Sequence, residues 1–410
     1  MSMIGFGMAG AWNTPRGGCR SNRSQVSEEG RPEERRAPKR AGERASAVNR
    51  TSDALHTRAK ALIVRLDTVR GAARCPTSRT NGGAMTSNLL HGGLATVFGG
   101  PGFVGRYVVR ELARRGWRVR AASRRPDLAG HLQPMGAVGQ IHAVQANLRY
   151  PQSCRAAVDG ADVVINAVGV LSSVGKQSFG AVHVEGARAV ARAAREAGVK
   201  RLVHISAIGA DKGSSAAYAR SKAEGEAAVL AEFPEAVIVR PSIVFGPEDE
   251  FFNRFAGMAR MSPVVPLVGG NSRFQPVYVA DLAAAIANAA EGAGKPGTVY
   301  EIGGPEVATF RSLLDDTQKW AGRNRPYFPM PFWLAKLQAL LTWPLPNSLR
   351  PVTVDQVRML QKDNVVSAAA KEDGRTIEAL GVTHPKSAGV IVPDYLERFK
   401  AKGQFAHYRG

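Results

Sequence analysis

Tyr218 and Lys222 are the residues whose types and spacing most directly suggest chemistry. They stand at positions i and i+4 of a helical pattern, which places both side chains on one helix face. A nearby ammonium favours the phenolate, so we expect Lys222 to lower the pKa of Tyr218 and make the phenol a proton donor and acceptor near neutral pH. The spacing also arises by chance in a chain of 410 residues, and its weight comes from its place at the start of the helix that follows a predicted strand.

Other polar residues end predicted strands. Ser206 ends one strand, where its hydroxyl could polarise a substrate carbonyl or, equally well, bond to local backbone. Asn166 ends another, and its amide could position backbone or a ligand. His183 and Glu185 lie on an intervening helix and are predicted to be packing and surface groups without a catalytic role.

An early glycine-rich segment predicts a phosphate-binding turn. An apolar run leads into Gly99-x-x-Gly102-x-x-Gly105, and an amphipathic helix follows. The glycines suit a tight turn, close approach of backbone to phosphate, and close packing of helix on strand. The amides at the helix start, from Phe103 and Val104 onward, direct their positive end at an anion. We therefore predict dinucleotide binding here, with a merely structural turn as the alternative.

The residues after the next predicted strand, Ser123, Arg124 and Arg125, favour NADP(H) over NAD(H) as the cofactor. A carboxylate usually stands here in NAD-binding proteins, because it accepts hydrogen bonds from the adenosine ribose. Two guanidinium groups and a hydroxyl replace it, and they suit a 2′-phosphate. Two solvated arginines at a strand end are the alternative interpretation. Lys222 is also placed to hold the nicotinamide ribose.

From residue 94 onward, short strand patterns alternate with helix patterns. The predicted strands cover 95–98, 118–122, 141–145, 162–167, 201–206 and 236–240. The helices predicted between them cover 103–115, 151–158, 179–197 and 216–232. This alternation predicts an α/β, Rossmann-type doubly wound parallel sheet, whose ligands bind at the carboxyl ends of the strands.

The sequence divides into four predicted regions. Residues 1–90 form a basic tail, 91–240 the NAD(P)-binding Rossmann domain, 241–325 a smaller α/β substrate-side lobe, and 326–410 a helical docking extension. The extension contains an apolar segment without a run of some eighteen apolar residues, so no membrane-spanning helix is predicted. We expect this segment to lie on a membrane or to pack on protein.

Charge and cysteine usage limit the class of partner. The formal net charge is +21, and residues 1–84 hold 16 Lys and Arg against 7 Asp and Glu. We expect this part to be disordered and Met85 to be the natural start, with a genuine tail or presequence as the alternative. The basic balance suits an acidic partner and not nucleic acid. Cys19, Cys75 and Cys154 lack metal-ligand spacing, so no metal is expected, and they indicate a reducing compartment.

The chain resembles the short-chain dehydrogenase/reductase superfamily, in its extended or atypical branch. The resemblance lies in the glycine turn, in Asn166 with Gly169, and in Ser206 with the Tyr218–Lys222 pair. Three further blocks narrow the resemblance. They are Arg-Pro-Ser-Ile-Val-Phe-Gly-Pro-Glu-Asp at 240–249, Phe-Phe-Asn-Arg-Phe at 251–255 and Pro-Val-Tyr-Val-Ala-Asp at 276–281. With the ending at 396–405, they are similar to the family of NAD(P)H-binding accessory subunits of respiratory complex I, subunit nine of its alpha subcomplex.

That resemblance implies a tightly held NADPH, far from the electron path. It implies partners among the complex I subunits, with peripheral contact to membrane lipid. The location implied is the cytoplasmic face of a bacterial inner membrane, or the matrix side in a mitochondrion. The cofactor contacts expected from the resemblance and from the motifs are Gly99, Gly102, Phe103, Val104, Gly105, Ser123, Arg124, Arg125, Asn147, Leu148, Ala167, Gly169, Tyr218, Lys222 and Pro241.

Two features bear on catalysis. Eleven residues separate Ser206 from Tyr218, fewer than in active extended enzymes, so Ser214 and Ser215 are alternatives to Ser206. The apolar residues of the extension suit docking or, equally, an apolar substrate; they are Phe332, Trp333, Leu334, Leu337, Leu340, Leu341 and Trp343. We favour a structural, NADPH-holding accessory subunit. The alternative is a free oxidoreductase or epimerase acting on a small or apolar carbonyl or hydroxyl compound through Tyr218, Lys222 and Ser206.

Overall fold

The computed structural model describes residues 93–173, 175–342 and 353–400. The basic tail predicted at 1–90 lies outside the described residues, as do Trp343 and the last residues of the C-terminal motif. The described part is built on a seven-stranded parallel sheet with helices on both faces, which confirms the predicted Rossmann-type α/β class.

The large sheet has the order β11-β6-β5-β4-β1-β2-β3. The strands of the fold are β1 (Leu94–Phe98), β2 (Arg118–Ser123), β3 (Ile141–Gln145), β4 (Val163–Asn166), β5 (Arg201–Ile205), β6 (Val237–Pro241), β7 (Val244–Phe245), β8 (Val265–Leu267), β9 (Arg273–Phe274), β10 (Val277–Tyr278), β11 (Val299–Ile302), β12 (Ala308–Thr309) and β13 (Tyr327–Pro329). Every end of the six predicted strands falls within one residue of an observed end. The edge strand β11 was not predicted.

The helices surround this sheet and build the C-terminal part. They are α1 (Phe103–Arg114), α2 (Pro151–Val158), α3 (Gly186–Glu196), α4 (Ala217–Glu232), α5 (Phe252–Met261), α6 (Val279–Glu291), α7 (Phe310–Trp320), α8 (Phe332–Leu341), α9 (Val354–Met359), α10 (Ala368–Glu372) and α11 (Ala388–Leu396). Short 3₁₀ turns cover Pro126–Met135, Glu378–Leu380 and Glu397–Phe399. The helix predicted at 179–197 is instead a π-helical turn, Gly180–Glu185, that continues into α3.

Both faces of the large sheet are buried. In β1, Val97 packs in the core on one face, and its neighbour Phe98 packs in the core on the other. β4 repeats the alternation with Ile165 and Val164. Near-continuous apolar runs of this kind are what a parallel sheet covered on both sides requires.

The strand order reverses at β1, which pairs with β2 on one side and with β4 on the other. A crevice opens at the carboxyl ends of the strands where the order reverses, and ligands of open α/β sheets bind there. The loops after β1, β2, β4 and β5, which carry the predicted site residues, therefore meet at one edge.

Candidate functional site

The turn after β1 has the geometry that a bound phosphate requires. Gly99 has a left-handed φ of +78°, and its amide donates to the Ala122 carbonyl at 2.9 Å. A Cβ on Gly105 would lie 2.1 Å from the Gly99 carbonyl oxygen, so only glycine allows α1 to approach the turn. Gly102 precedes α1 in an extended conformation, and the first turn of α1 contains no acidic residue. The positive end of α1 is thus free for an anion.

The end of β2 lies beside this turn. The Ser123 hydroxyl is buried and has no hydrogen-bond partner in the described part of the chain. Arg124 is exposed. Arg125 is also exposed and pairs with Asp127, with 2.7 Å between Nη2 and Oδ2; such surface pairs contribute little stability and dissociate at low cost. An orphaned buried hydroxyl next to a glycine cradle fits a dinucleotide, because a ribose hydroxyl or phosphate oxygen would complete it.

Three of the other predicted cofactor contacts are partly engaged within the protein. The Asn147 Oδ1 accepts the Arg149 amide at 3.2 Å. The side chain of Leu148 is buried against α3, where a Cβ on Gly186 would come within 2.9 Å of it. The Pro241 carbonyl accepts the amide of Ile208 at 3.0 Å. Ala167 lies closer to the crevice, since a Cβ on Gly99 would stand 3.0 Å from its carbonyl oxygen.

Lys222 is buried below the crevice and is held by the end of β5. Its Nζ donates to the Ile205 carbonyl at 3.1 Å, and a Cβ on Gly169 would lie 3.4 Å from the same Nζ. Burial lowers the pKa of Lys222 to about 8. The lysine thus reaches the loops after β4 and β5, and its ammonium form persists at neutral pH.

The expected effect of Lys222 on Tyr218 was wrong. Burial raises the pKa of Tyr218 to about 12, although part of its side chain stays accessible. Desolvation of the phenolate outweighs any attraction by the ammonium, which is turned toward Ile205. In this state Tyr218 is a neutral phenol that can donate a hydrogen bond, and it is a poor base.

His183, predicted to have only a packing role, lies at the centre of the site. Its Nε2 accepts the Val170 amide at 3.0 Å, so Nδ1 carries the proton and faces the Ser221 hydroxyl at 2.9 Å. The Ser221 hydroxyl in turn donates to the Tyr218 carbonyl at 2.8 Å. The imidazole stacks on Phe179 and meets the Tyr218 ring edge-on, each with 5.5 Å between ring centroids. Burial lowers the pKa of His183 to about 2.

His183 lies in the π-helical turn that precedes α3, and such turns often mark functional sites. His183 is buried, in line with its predicted packing role, while Glu185 is exposed, as predicted, and pairs with Arg188. Gly225 of α4 permits this packing, since a Cβ there would lie 2.2 Å from the His183 carbonyl oxygen. A glycine inside a helix, such as Gly225, indicates that another part of the chain approaches closely. The sequence alone does not show that this part is His183.

A second buried histidine supports the end of β4. The Asn166 Nδ2 lies 3.2 Å from the Nδ1 of His204, and its Oδ1 accepts the Val168 amide at 3.2 Å. Burial, and then the charge of Lys222, lower the pKa of His204 to about 3. Asn166 therefore positions backbone at the crevice, one of the two roles predicted for it.

Ser206 directly follows β5 and has a buried hydroxyl with no partner among the described residues. Local backbone bonding, one of the two interpretations, is therefore not what the structure contains. Ser214 instead accepts the Ala216 amide at 3.2 Å, and Ser215 is exposed. Ser206 is the better placed of the three for a bound molecule.

Comparisons with known proteins agree with this geometry. The model of the NAD dependent epimerase/dehydratase family matches residues 95–303. The mitochondrial NADH dehydrogenase [ubiquinone] 1 alpha subcomplex subunit 9 of Arabidopsis thaliana is 34% identical over 310 residues, which cover 73% of this chain and 76% of that protein. The chain belongs to the alpha subcomplex subunit 9 family. This confirms the resemblance stated from the sequence motifs.

Two further relatives lie outside the subunit 9 family. A ceramide reductase of Caulobacter vibrioides is 36% identical over 192 residues, which cover 47% of this chain and 59% of that protein. The crystal structure of an Escherichia coli NADPH-dependent quinone oxidoreductase complexed with NADPH superposes with a TM-score of 0.58 at 22% identity, and covers 74% of this chain and 99% of that one. This structural likeness extends the fold assignment to most of the chain.

Helix α8 of this subunit 9 family member has an exposed apolar side. α8 packs Ala335 against Val268 and Val357, and its Ala339 is also buried. Its opposite side, which we call the apolar face of α8, is exposed and consists of Trp333, Leu337, Leu340 and Leu341. Within the described ranges, no helix combines the length and apolar character needed to cross a bilayer.

Proposed function

We propose that this chain is an NADP(H)-holding accessory subunit of a respiratory NADH:ubiquinone oxidoreductase, with a structural and not a directly catalytic role. The carrying observation is its similarity to the Arabidopsis subunit 9 over about three quarters of both chains. The glycine turn, the orphaned Ser123 hydroxyl and buried Lys222 support a held nucleotide. A bound nicotinamide dinucleotide would supply hydride chemistry.

The residues proposed to hold the nucleotide divide by strand. The amides of Phe103, Val104 and Gly105 would face the pyrophosphate. Lys222 would donate to the nicotinamide ribose beside Gly169. The remaining predicted contacts would line the adenosine and nicotinamide ends; they are Gly99, Gly102, Ser123, Arg124, Arg125, Asn147, Leu148, Ala167, Tyr218 and Pro241.

Preference for NADP(H) over NAD(H) is part of the proposal. It is supported by the exposed Arg124 beside the orphaned Ser123 hydroxyl, with no carboxylate at the end of β2. We expect Arg124→Ala to raise the Kd for NADPH about tenfold, the effect of losing one charge-assisted contact, and to leave the Kd for NADH within about twofold. Isothermal titration with each nucleotide measures this. Arg260→Ala, at an exposed arginine of α5, is the matched control, and an unchanged ratio for Arg124→Ala contradicts the preference.

We propose a peripheral position on the complex, on the matrix side in a mitochondrion or on the cytoplasmic side in a bacterium. The apolar face of α8 supports contact with neighbouring subunits and with lipid at the membrane surface, because exposed apolar patches mark such interfaces. The decisive experiment is gentle solubilisation of membranes that contain the tagged full chain. Co-migration with NADH dehydrogenase activity in one large particle is expected, and recovery only as a free soluble species overturns the proposal.

A reductase role is a second candidate, favoured by the similarity to the Caulobacter ceramide reductase and by the buried Lys222 beside Tyr218. The substrate would be an apolar carbonyl compound, with Ser206 and Tyr218 as hydrogen-bond donors to its oxygen. Multiple turnover of NADPH with a long-chain ketone, abolished in Tyr218→Phe, would establish this role. Absence of turnover in nucleotide-loaded protein supports the structural role.

A further inference from the structure

The segment 353–367 of the C-terminal extension lies across the carboxyl ends of β5 and β6. Asn364 holds it there. Its Oδ1 accepts hydrogen bonds from the Ser242 hydroxyl at 2.7 Å and the Ile243 amide at 3.1 Å, and its Nδ2 donates to the Ile208 carbonyl at 3.4 Å. Because the nucleotide crevice opens at this edge of the sheet, the segment forms part of its surroundings.

Within this segment, Asp355 of α9 directs its carboxylate at another helix. The carboxylate accepts the Ala217 amide at 2.5 Å through Oδ1 and the Tyr218 amide at 2.9 Å through Oδ2. These are the first two amides of α4, the helix that carries Tyr218 and Lys222. The amides in the first turn of a helix have no partner within the helix, and negative charge there is favourable.

α4 has no cap of its own. Ala216 precedes it without a side-chain acceptor, and its first turn contains no acidic residue. A second contact fastens the same junction, since the Arg358 guanidinium donates to the Ser215 carbonyl at 3.1 Å. Asp355 thus supplies, from a position 138 residues away from Ala217, the cap that the local sequence omits.

We propose that Asp355 is a positioning residue of the nucleotide site, and that it links this site to the apolar face of α8. The inference rests on the proposed nucleotide-binding function. By holding the first turn of α4, Asp355 sets where Tyr218 and Lys222 stand relative to the glycine turn. A shift in the position of α9 therefore changes the affinity for the nucleotide.

The link to α8 passes through one buried side chain. Val357 of α9 is fully buried in a small apolar core that includes Ala335 of α8. α8 and α4 are thus both in contact with α9, and α9 joins the docking helix to the site helix. Coupling between two binding sites is reciprocal, so a nucleotide bound at α4 steadies α8, and a partner bound on α8 strengthens nucleotide binding.

The first test compares Asp355→Ala, Asp355→Asn and Asp162→Ala in the full chain. Asp162 is the control, because its carboxylate also accepts a backbone amide, that of Leu94 at 3.0 Å, in addition to its ion pair with Lys200, but at the amino ends of β1 and β4. We expect Asp355→Ala to raise the Kd for NADPH roughly five- to tenfold, the loss of one helix cap. Asp355→Asn keeps one acceptor oxygen for the two amides and should recover part of this affinity, whereas Asp162→Ala should leave the Kd unchanged.

Hydrogen exchange supplies a readout independent of nucleotide affinity. Amides in a peptide covering 216–222 should exchange faster in Asp355→Ala than in the wild type, and added NADPH should slow exchange in peptides covering α8 and α9 of the wild type alone. Unchanged Kd and unchanged exchange in Asp355→Ala would overturn the inference. Failure of the wild type itself to bind NADPH would instead overturn the proposed function.

Discussion

Lys222 is the buried charged residue of the site, and its two histidine neighbours, His183 and His204, are neutral. Burial lowers the pKa of His183 to about 2 and that of His204 to about 3, while Lys222 keeps a pKa of about 8. At neutral pH the imidazoles therefore act as fixed hydrogen-bonding groups for the loop after β4. The ammonium of Lys222 is left as the cation that can meet an electron-rich oxygen of a ligand.

The lowered pKa of His183 predicts a loss of stability in acid. The folded-state pKa of about 2 lies below the unfolded value of about 6.5, so below pH 6.5 the unfolded chain binds the additional proton and is favoured. Between pH 6.5 and 5, the free energy of unfolding of the wild type should fall by about 2 kcal/mol more than that of His183→Gln. Urea unfolding at a series of pH values measures this, and equal pH dependence in both proteins would contradict it.

At the residue scale, the sequence predicted the functional residues that stand near the ends of strands. It did not predict those whose role depends on contacts with residues distant in sequence. The glycine turn follows β1 directly and Lys222 lies in the helix that follows β5, so their common position at the carboxyl ends of the strands could be predicted. The partners of His183 could not be predicted, because its hydrogen bonds to Val170 and Ser221 are tertiary contacts. Asp355 could not either, since its partner helix is far away in sequence. The pKa of Tyr218 was predicted in the wrong direction because burial, not spacing, dominates it.

At the element scale, the turn between β1 and α1 is the most constrained junction. A Cβ on Gly105 would lie 2.1 Å from the backbone oxygen of Gly99, and backbone cannot yield as a flexible side chain does. We expect Gly105→Ala to abolish measurable NADPH binding and to lower the free energy of unfolding by about 2 kcal/mol or more, as overpacking does. Gly130→Ala, where nothing lies within 4 Å of a Cβ, is the control; equal effects in both would refute the steric argument.

Two elements that were not predicted, α7 and β11, differ in the strength of their sequence signals. α7 carried a readable signal, since Thr309 caps the Ser312 amide and Phe310, Leu313 and Leu314 share a buried face. β11 is four residues long and follows a glycine-rich loop, so only its pairing with β6 defines it. Short strands at a sheet edge are specified by tertiary partners more than by propensity.

At the scale of the whole molecule, the large parallel sheet and the exposed helix α8 belong to one compact unit. The C-terminal part packs on its own aromatic core, which includes Phe251, Phe252 and Phe255. The buried Asp249 carboxylate ties α11 to this core by accepting the Tyr395 hydroxyl and the Asn253 amide. α8 packs on a separate small core through Ala335, Val268 and Val357, and this core supports its apolar face.

We expect the apolar face of α8 to be needed for assembly but not for nucleotide binding by the isolated chain. Trp333 and Leu340 are 67% and 62% exposed, so replacing both by serine removes little from the core and should leave stability within about 0.5 kcal/mol. We expect the double variant to dissociate from the large particle during gentle solubilisation, while the Kd for NADPH of the isolated full chain changes by less than about threefold. Val390→Ser, at an equally exposed apolar residue of α11, should remain in the particle. Retention of the double variant would show that another surface docks the chain.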